Sequence, residues 1–153
     1  MNLNRLEFEY ESDSPAGFRR GRARLGPELG AEITGASVYE LPPGEALCPY
    51  HYEWGEEEWL LVLSGTPTLR DPDGERALEP MDLVFLPRGP QGAHRVQNDG
   101  DEVARVLMFS NVSWPNAVVY PDSDKLRIWA AEDSPDNLIF RREGAVGYFD
   151  REA

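Results

Sequence analysis

Glycine and proline interrupt this chain so often that short strands are favoured over long helices. The 14 glycines and 13 prolines fall mostly between short apolar or alternating runs, and such punctuation favours many short strands. The runs at residues 6–10, 19–25, 32–41, 47–52, 58–63, 66–70, 82–86, 93–97 and 103–109 read as strands. Several alternate with period two, as in Glu7-Phe8-Glu9-Tyr10 and Thr66-Pro67-Thr68-Leu69, so that one face packs and the other meets solvent. Asp71-Pro72-Asp73-Gly74 predicts a hairpin turn, because proline presets φ and glycine tolerates positive φ. Asn98-Asp99-Gly100-Asp101 predicts a second turn, with Asn98 fixing it. Turns spaced about ten residues apart indicate an all-β sandwich or barrel.

The 153 residues suit a single domain with enough core to fold alone. Its barrel core would span residues 30–112, preceded by N-terminal strands within 5–25 and followed by an irregular C-terminal arm at 113–153. Pro115, Pro121 and Pro135 break up that arm. Trp114, Tyr120, Trp129, Phe140, Tyr148 and Phe149 equip it to pack on the barrel or on a second subunit. Residues 126–131 fit a strand or a helical turn equally well.

The net charge of -13, from 28 acids against 15 bases, argues against nucleic acid or an anionic membrane as partner, since both reward a basic face. Arg19, Arg20, Arg22 and Arg24 form one local basic cluster, read as a solvated strand face. The single Cys48 permits no intramolecular disulfide, which fits a reducing cytoplasm. It reads as a small apolar residue entering a strand rather than as a nucleophile paired with nearby His51. The N-terminus lacks a basic segment followed by an apolar run, so no signal peptide is expected. No apolar stretch approaches the roughly 18 residues that a membrane span needs. A cytoplasmic location is expected.

Chemistry concentrates between residues 51 and 98. Both histidines of the chain lie there, His51 and His94, beside several carboxylates. On a strand His51 and Glu53 share one face while Tyr50 and Tyr52 take the other. Glu58 opens the next strand, expected to pair with the His51 strand and so bring Glu58 alongside. His94 follows the turn Pro87-Arg88-Gly89-Pro90. His51, Glu53, Glu58 and His94 together make a mixed nitrogen and oxygen site for a divalent transition metal. That donor set suits Zn, Mn, Fe or Ni, with a position left for substrate or water. Glu56 and Glu57 read as solvated; Arg88, Gln91 and Arg95 could reach a substrate carboxylate or phosphate, and surface ion pairing is the favoured reading. Tyr50, Tyr52, Trp54 and Trp59 read as core or interface packing.

These residues carry a resemblance. His51-x-Glu53, Glu58 and Gly65, then Met81-Asp82, Pro87-Arg88-Gly89, His94 and Asn98, are similar in order and separation to the two motifs of the cupin superfamily. The likeness covers residues 33–110. It selects Glu58 over Glu57 through the distance to Gly65. It implies a double-stranded β-helix, the cupin jelly-roll barrel, holding a metal and a small polar ligand in its mouth. Two positions depart from the family pattern. Glu53 stands where a second histidine is usual, and carboxylate can replace imidazole. Met81 stands where a turn glycine is usual, and a positive φ would strain it there.

The resemblance implies a metal-binding protein acting on or binding a small molecule, with oxygenase or isomerase chemistry and Glu58 or Glu53 as candidate proton carriers. The alternatives are a non-catalytic small-molecule sensor and a cupin that has lost its metal. Hydrophobic outer strand faces and the aromatic arm point to a homodimer.

Overall fold

A computed structural model describes residues 1–152. Thirteen short strands carry the fold: β1 (Glu9–Tyr10), β2 (Gly21–Arg24), β3 (Thr34–Leu41), β4 (Tyr52–Glu53), β5 (Glu58–Ser64), β6 (Thr68–Asp71), β7 (Gly74–Ala77), β8 (Leu83–Leu86), β9 (Arg95–Gln97), β10 (Ala104–Asn111), β11 (Asn116–Tyr120), β12 (Lys125–Trp129) and β13 (Leu138–Arg141). One five-residue helix, α1 (Leu25–Leu29), interrupts them. Among the described residues no helix is long and apolar enough to cross a membrane. The strands form three antiparallel sheets, ordered β1-β2-β3-β10-β5-β8, β13-β12-β11-β4 and β7-β6-β9. This is the expected all-β cupin architecture.

Strand parity decides what lies inside. Across the large sheet, Val106 sits opposite Tyr39 and Val62, while Met108 sits opposite Ser37 and Leu60. Partners in register project to the same side, so these side chains form one inner face. Leu41, Leu60, Val62, Leu69, Val96 and Val106 on that face and its neighbours are completely buried. Each fully buried side chain of this size contributes roughly 1.5–3 kcal/mol by leaving water.

Most expected strands are present. Asp71 pairs with Gly74 across the predicted hairpin turn, and Gly74 takes a φ of 129°. Asn98 holds the second turn: its side chain accepts from Gly100 N and donates to the carbonyls of Leu41 and Glu102. Residues 47–52 are less regular than expected. Pro49 has no N–H to give a ladder, and His51 is left in a single bridge to His94.

Two expectations need correction. The strand that begins at Glu58 does not pair with the His51 strand; β5 lies between β10 and β8, and β4 pairs with β11 instead. The C-terminal arm is also more regular than its prolines suggest. β11, β12 and β13 form an antiparallel meander, because Val118, Val119 and Ile128 are β-branched and suit a half-buried sheet. Residues 126–131, open between strand and turn, are mostly strand.

Met81 adopts the left-handed region with φ 75°. Its side chain is 73% exposed, so little packing offsets the strain. Met81→Gly should therefore stabilise the fold by about 1 kcal/mol, raising Tm by roughly 2–4 °C in a chain of this size. A calorimetric Tm equal to or below that of the wild type would count against the argument.

Candidate metal centre

The site begins with two imidazoles whose backs are tied to the main chain. His94 Nδ1 lies 2.9 Å from the Gly92 carbonyl, and His51 Nδ1 lies 3.0 Å from the Pro49 carbonyl. A carbonyl oxygen only accepts, so each Nδ1 carries the proton and each Nε2 keeps a free lone pair. The rings lie 4.6 Å apart, brought together by the reciprocal backbone bonds between residues 51 and 94. His94 is 1% exposed. Burial, and then the proximity of His51, lower its pKa to about 3, so it stays neutral. Its Nε2 is buried without a hydrogen-bond partner. Such an orphaned atom is costly unless a ligand meets it.

Two carboxylates face those nitrogens. Glu53 Oε1 lies 3.8 Å from His51 Nε2, and Glu58 Oε2 lies 3.6 Å from His94 Nε2. Glu53 shares its strand face with His51, as expected. Glu58 arrives from across the barrel, at the start of β5 opposite Ser110 and Leu86. Asn116 of β11 donates to Glu53 at 2.5 Å. Burial, then neighbouring Glu56, raise the pKa of Glu53, while His51 and Asn116 oppose the shift. Burial, then the charge of Glu53, push Glu58 up to about 7. Two carboxylates confined together call for a proton or a cation between them.

The residues fit a divalent metal. Donors each about 2.1 Å from one ion stand roughly 3–4.2 Å apart, and both histidine–carboxylate pairs fall in that range. The donor atoms of His51, Glu53 and Glu58 lie within 4.8 Å of one another. Cys48 lies on the other flank of His51, its Sγ 3.5 Å from Nδ1. Burial and the nearby charge of Glu58 push its thiol up to about 12. It packs against the core as a neutral residue.

The donors open into a cavity of about 250 Å³ that also meets Arg20, Arg22, Tyr120, Arg127 and Trp129. A second cavity of about 370 Å³ adjoins it, sharing Arg22, Tyr39, Glu58, Met108 and Trp129. Arg20 and Arg22 therefore do not lie on a solvated face; Arg19 is exposed, and Arg24, though exposed, lines the second cavity. Period two places Arg20 and Arg22 on the side that Tyr39 and Ser37 share, which is the interior side. Glu56 also departs from expectation. It is half-buried and accepts from Ser110 Oγ and Ser113 N, whereas Glu57 is exposed beside Arg88. Arg95 is no surface ion pair: its Nε is buried and unpartnered. Asn116 and Arg127 carry no site signal in the sequence, and Tyr120 reads there only as a packing aromatic, because all three sit on the arm. Period-two alternation through 116–120 was the signal that could have placed Asn116, Val118 and Tyr120 on one face.

The model of the cupin domain family matches residues 37–110. No curated protein matches the chain. Among solved structures, the chain is similar to a sugar phosphate isomerase of the cupin superfamily from Silicibacter pomeroyi, with 24% identity, TM-score 0.82 and coverage of 98% of this chain and 97% of that one. It is also similar to a putative sugar phosphate isomerase from Acidithiobacillus ferrooxidans, with 23% identity, TM-score 0.81 and coverage of 96% and 94%. A predicted oxalate decarboxylase from Thermotoga maritima matches less of this chain: 20% identity, TM-score 0.61, 73% of this chain and 97% of that one. Motif order, family model and strand topology agree: residues 37–110 match the cupin domain family, and the fold is the all-β cupin fold.

Proposed function

We propose that this chain is a metal-dependent cupin that binds a small polyhydroxy carbonyl compound in the barrel and isomerises it. The observation that carries the reading is the buried, unpartnered Nε2 of His94 facing Glu58, with His51 and Glu53 beside it. His51, Glu53, Glu58 and His94 would hold the ion. A bound divalent metal supplies Lewis acidity toward a substrate oxygen.

Isomerisation of a hydroxy carbonyl compound takes a proton from the carbon beside the carbonyl and returns one to its neighbour, with no net change in composition. Glu58 suits that task. Its Oε2 faces His94, which leaves Oε1 to take up and return a proton, and it borders both cavities. Leu47, Met108 and Val118 form apolar wall beside the donors, which limits water at the reacting atoms. Isomerase chemistry is preferred to oxygenase chemistry because two structural neighbours that span nearly the whole chain are described as a sugar phosphate isomerase and a putative one.

The test is exchange of substrate C–H for deuterium in D₂O, followed by NMR across a panel of aldoses and ketoses, free and phosphorylated. The metal-loaded protein should label at least one of them, and Glu58→Gln should slow labelling by about 10²–10⁴-fold. Binding without any labelling would leave a non-catalytic cupin.

We further propose that the protein is a homodimer in solution. Trp59, Phe85 and Phe109 cluster on the outer face of the large sheet, with Trp59 and Phe109 stacked at 6.1 Å. Val146, Tyr148 and Phe149 of the arm are exposed by 72%, 90% and 78%. A monomer rarely leaves apolar patches of this kind in water. Light scattering at micromolar concentration should give twice the chain mass, and a monomer mass would refute the pairing.

A further inference from the structure

We infer that Arg20, Arg22 and Arg127 form a phosphate-binding subsite in the metal cavity, so that the ligand of this barrel is a phosphate monoester. The inference rests on the barrel being a small-molecule site. It stands on where the arginines are and on what they lack.

The chain carries nearly two acids for every base, so a guanidinium has ready carboxylate partners. Elsewhere it takes them: Arg70 is bidentate to Asp122, and Arg105 grips Glu40. The three arginines that line the metal cavity make no salt bridge within 4.0 Å among the described residues. They are instead held by weaker contacts that leave donors free. Arg20 and Arg22 lie 5.7 and 5.6 Å from the centre of the same Tyr39 ring. Arg22 Nε reaches Ser37 Oγ at 3.3 Å. Arg127 stacks 4.1 Å above Trp129. Arg20 Nε is buried with no hydrogen-bond partner at all.

A guanidinium keeps its charge in any protein setting and presents paired donors that match oxyanions. Three of them around one cavity, with a buried donor unmet, require an anionic partner from outside the chain. A carboxylate brings one charge and two oxygens. A phosphate monoester brings nearly two charges and three strong acceptor oxygens, which suits three guanidiniums better. Glu53 and Glu58 lie in the same cavity, yet no guanidinium forms a salt bridge with them; Arg127 acts on Glu53 only at longer range. A phosphate at the arginines would leave the rest of the molecule to reach the histidines and carboxylates.

The experiment uses the full chain, metal-loaded, with calorimetric titration of inorganic phosphate, glucose 6-phosphate, glucose and acetate. Metal content is measured on every sample. Glucose 6-phosphate should bind at least about tenfold more tightly than glucose, and inorganic phosphate more tightly than acetate. Arg20→Gln, Arg22→Gln and Arg127→Gln should each weaken phosphate binding by about tenfold or more with metal content unchanged. Arg20→Lys and Arg127→Lys, which keep charge and fold, should fall between. Equal binding of glucose and glucose 6-phosphate would overturn the proposal, as would glutamine variants within twofold of wild type. Acetate matching phosphate would assign a carboxylate site instead and equally overturn it. Wild-type protein that binds phosphate but no metal would support the subsite while refuting the metal reading.

Discussion

His94→Ala protein is expected to leave purification without bound transition metal, while the wild type carries close to one equivalent per chain. The imidazole is buried, neutral and aimed into the donor cluster by its bond to the Gly92 carbonyl. Removing it takes away a ligand that no other side chain can replace, since the chain has only two histidines. Loss of an orienting contact behind a ligand already costs about 10–100-fold in affinity, and loss of the ligand itself should exceed that. Elemental analysis reads the outcome. Metal retained in His94→Ala at wild-type level would remove His94 from the site.

The same site should bind metal with a definite pH dependence. Glu58 is raised above its ordinary value to about 7 by burial and by Glu53. A carboxylate must lose its proton to ligate. Below pH 7 the proton therefore competes with metal, by about tenfold in affinity per pH unit, and above pH 7 this competition fades. Chelator competition between pH 5.5 and 8.5 should show that step, and Glu58→Gln should abolish it. The metal-free protein should behave in the opposite sense. A carboxyl whose folded pKa is raised stabilises the fold while protonated, and that stability is lost as pH rises from about 4.5 toward 7.

Gly92→Ala is expected to be the most damaging single substitution in the barrel. An added Cβ would stand 1.7 Å from the Pro87 carbonyl oxygen and 2.8 Å from its carbon. Both are backbone atoms, so no side chain can swing aside. Relief requires moving the turn between Pro87 and Ala93, whose backbone bonds run from Gly92 N to Gly89 O and from Gly89 N to Glu53 O. The Gly92 carbonyl also orients His94. We expect a loss of more than about 4 kcal/mol, in the range reserved for severe backbone strain or core damage. Calorimetry should show a fall in Tm of roughly 8–16 °C, and the folded fraction should bind metal more weakly. Gly144→Ala, where an added Cβ meets nothing within 4 Å, should stay within about 0.5 kcal/mol of wild type. A Gly92→Ala protein as stable as that control would show that the turn yields more readily than its geometry implies.

The candidate donors could be named before any coordinates from strand parity and from the resemblance to the cupin motifs. Parity along one strand puts His51 and Glu53 on one face, and the motif spacing to Gly65 singles out Glu58. Asn98 was legible as a turn residue because an Asx side chain caps the backbone two residues on. Glu56 was misread because its burial depends on Ser110 and Ser113, more than fifty residues away. Arg20 and Arg22 were misread for a similar reason. Alternation says that they share a face, and only the pairing of β2 with β3 says which face that is.

By itself, the sequence determined the class of fold and the four candidate donors. Turn chemistry and two-residue alternation act within a few residues and need no distant partner. The tertiary structure alone decided that β5 meets His94 from across the barrel rather than from beside β4, that Asn116 braces Glu53, and that three arginines face the donors. Those facts depend on which strands pair across long stretches of chain, and pairing is settled by how the sheets bury their apolar faces together.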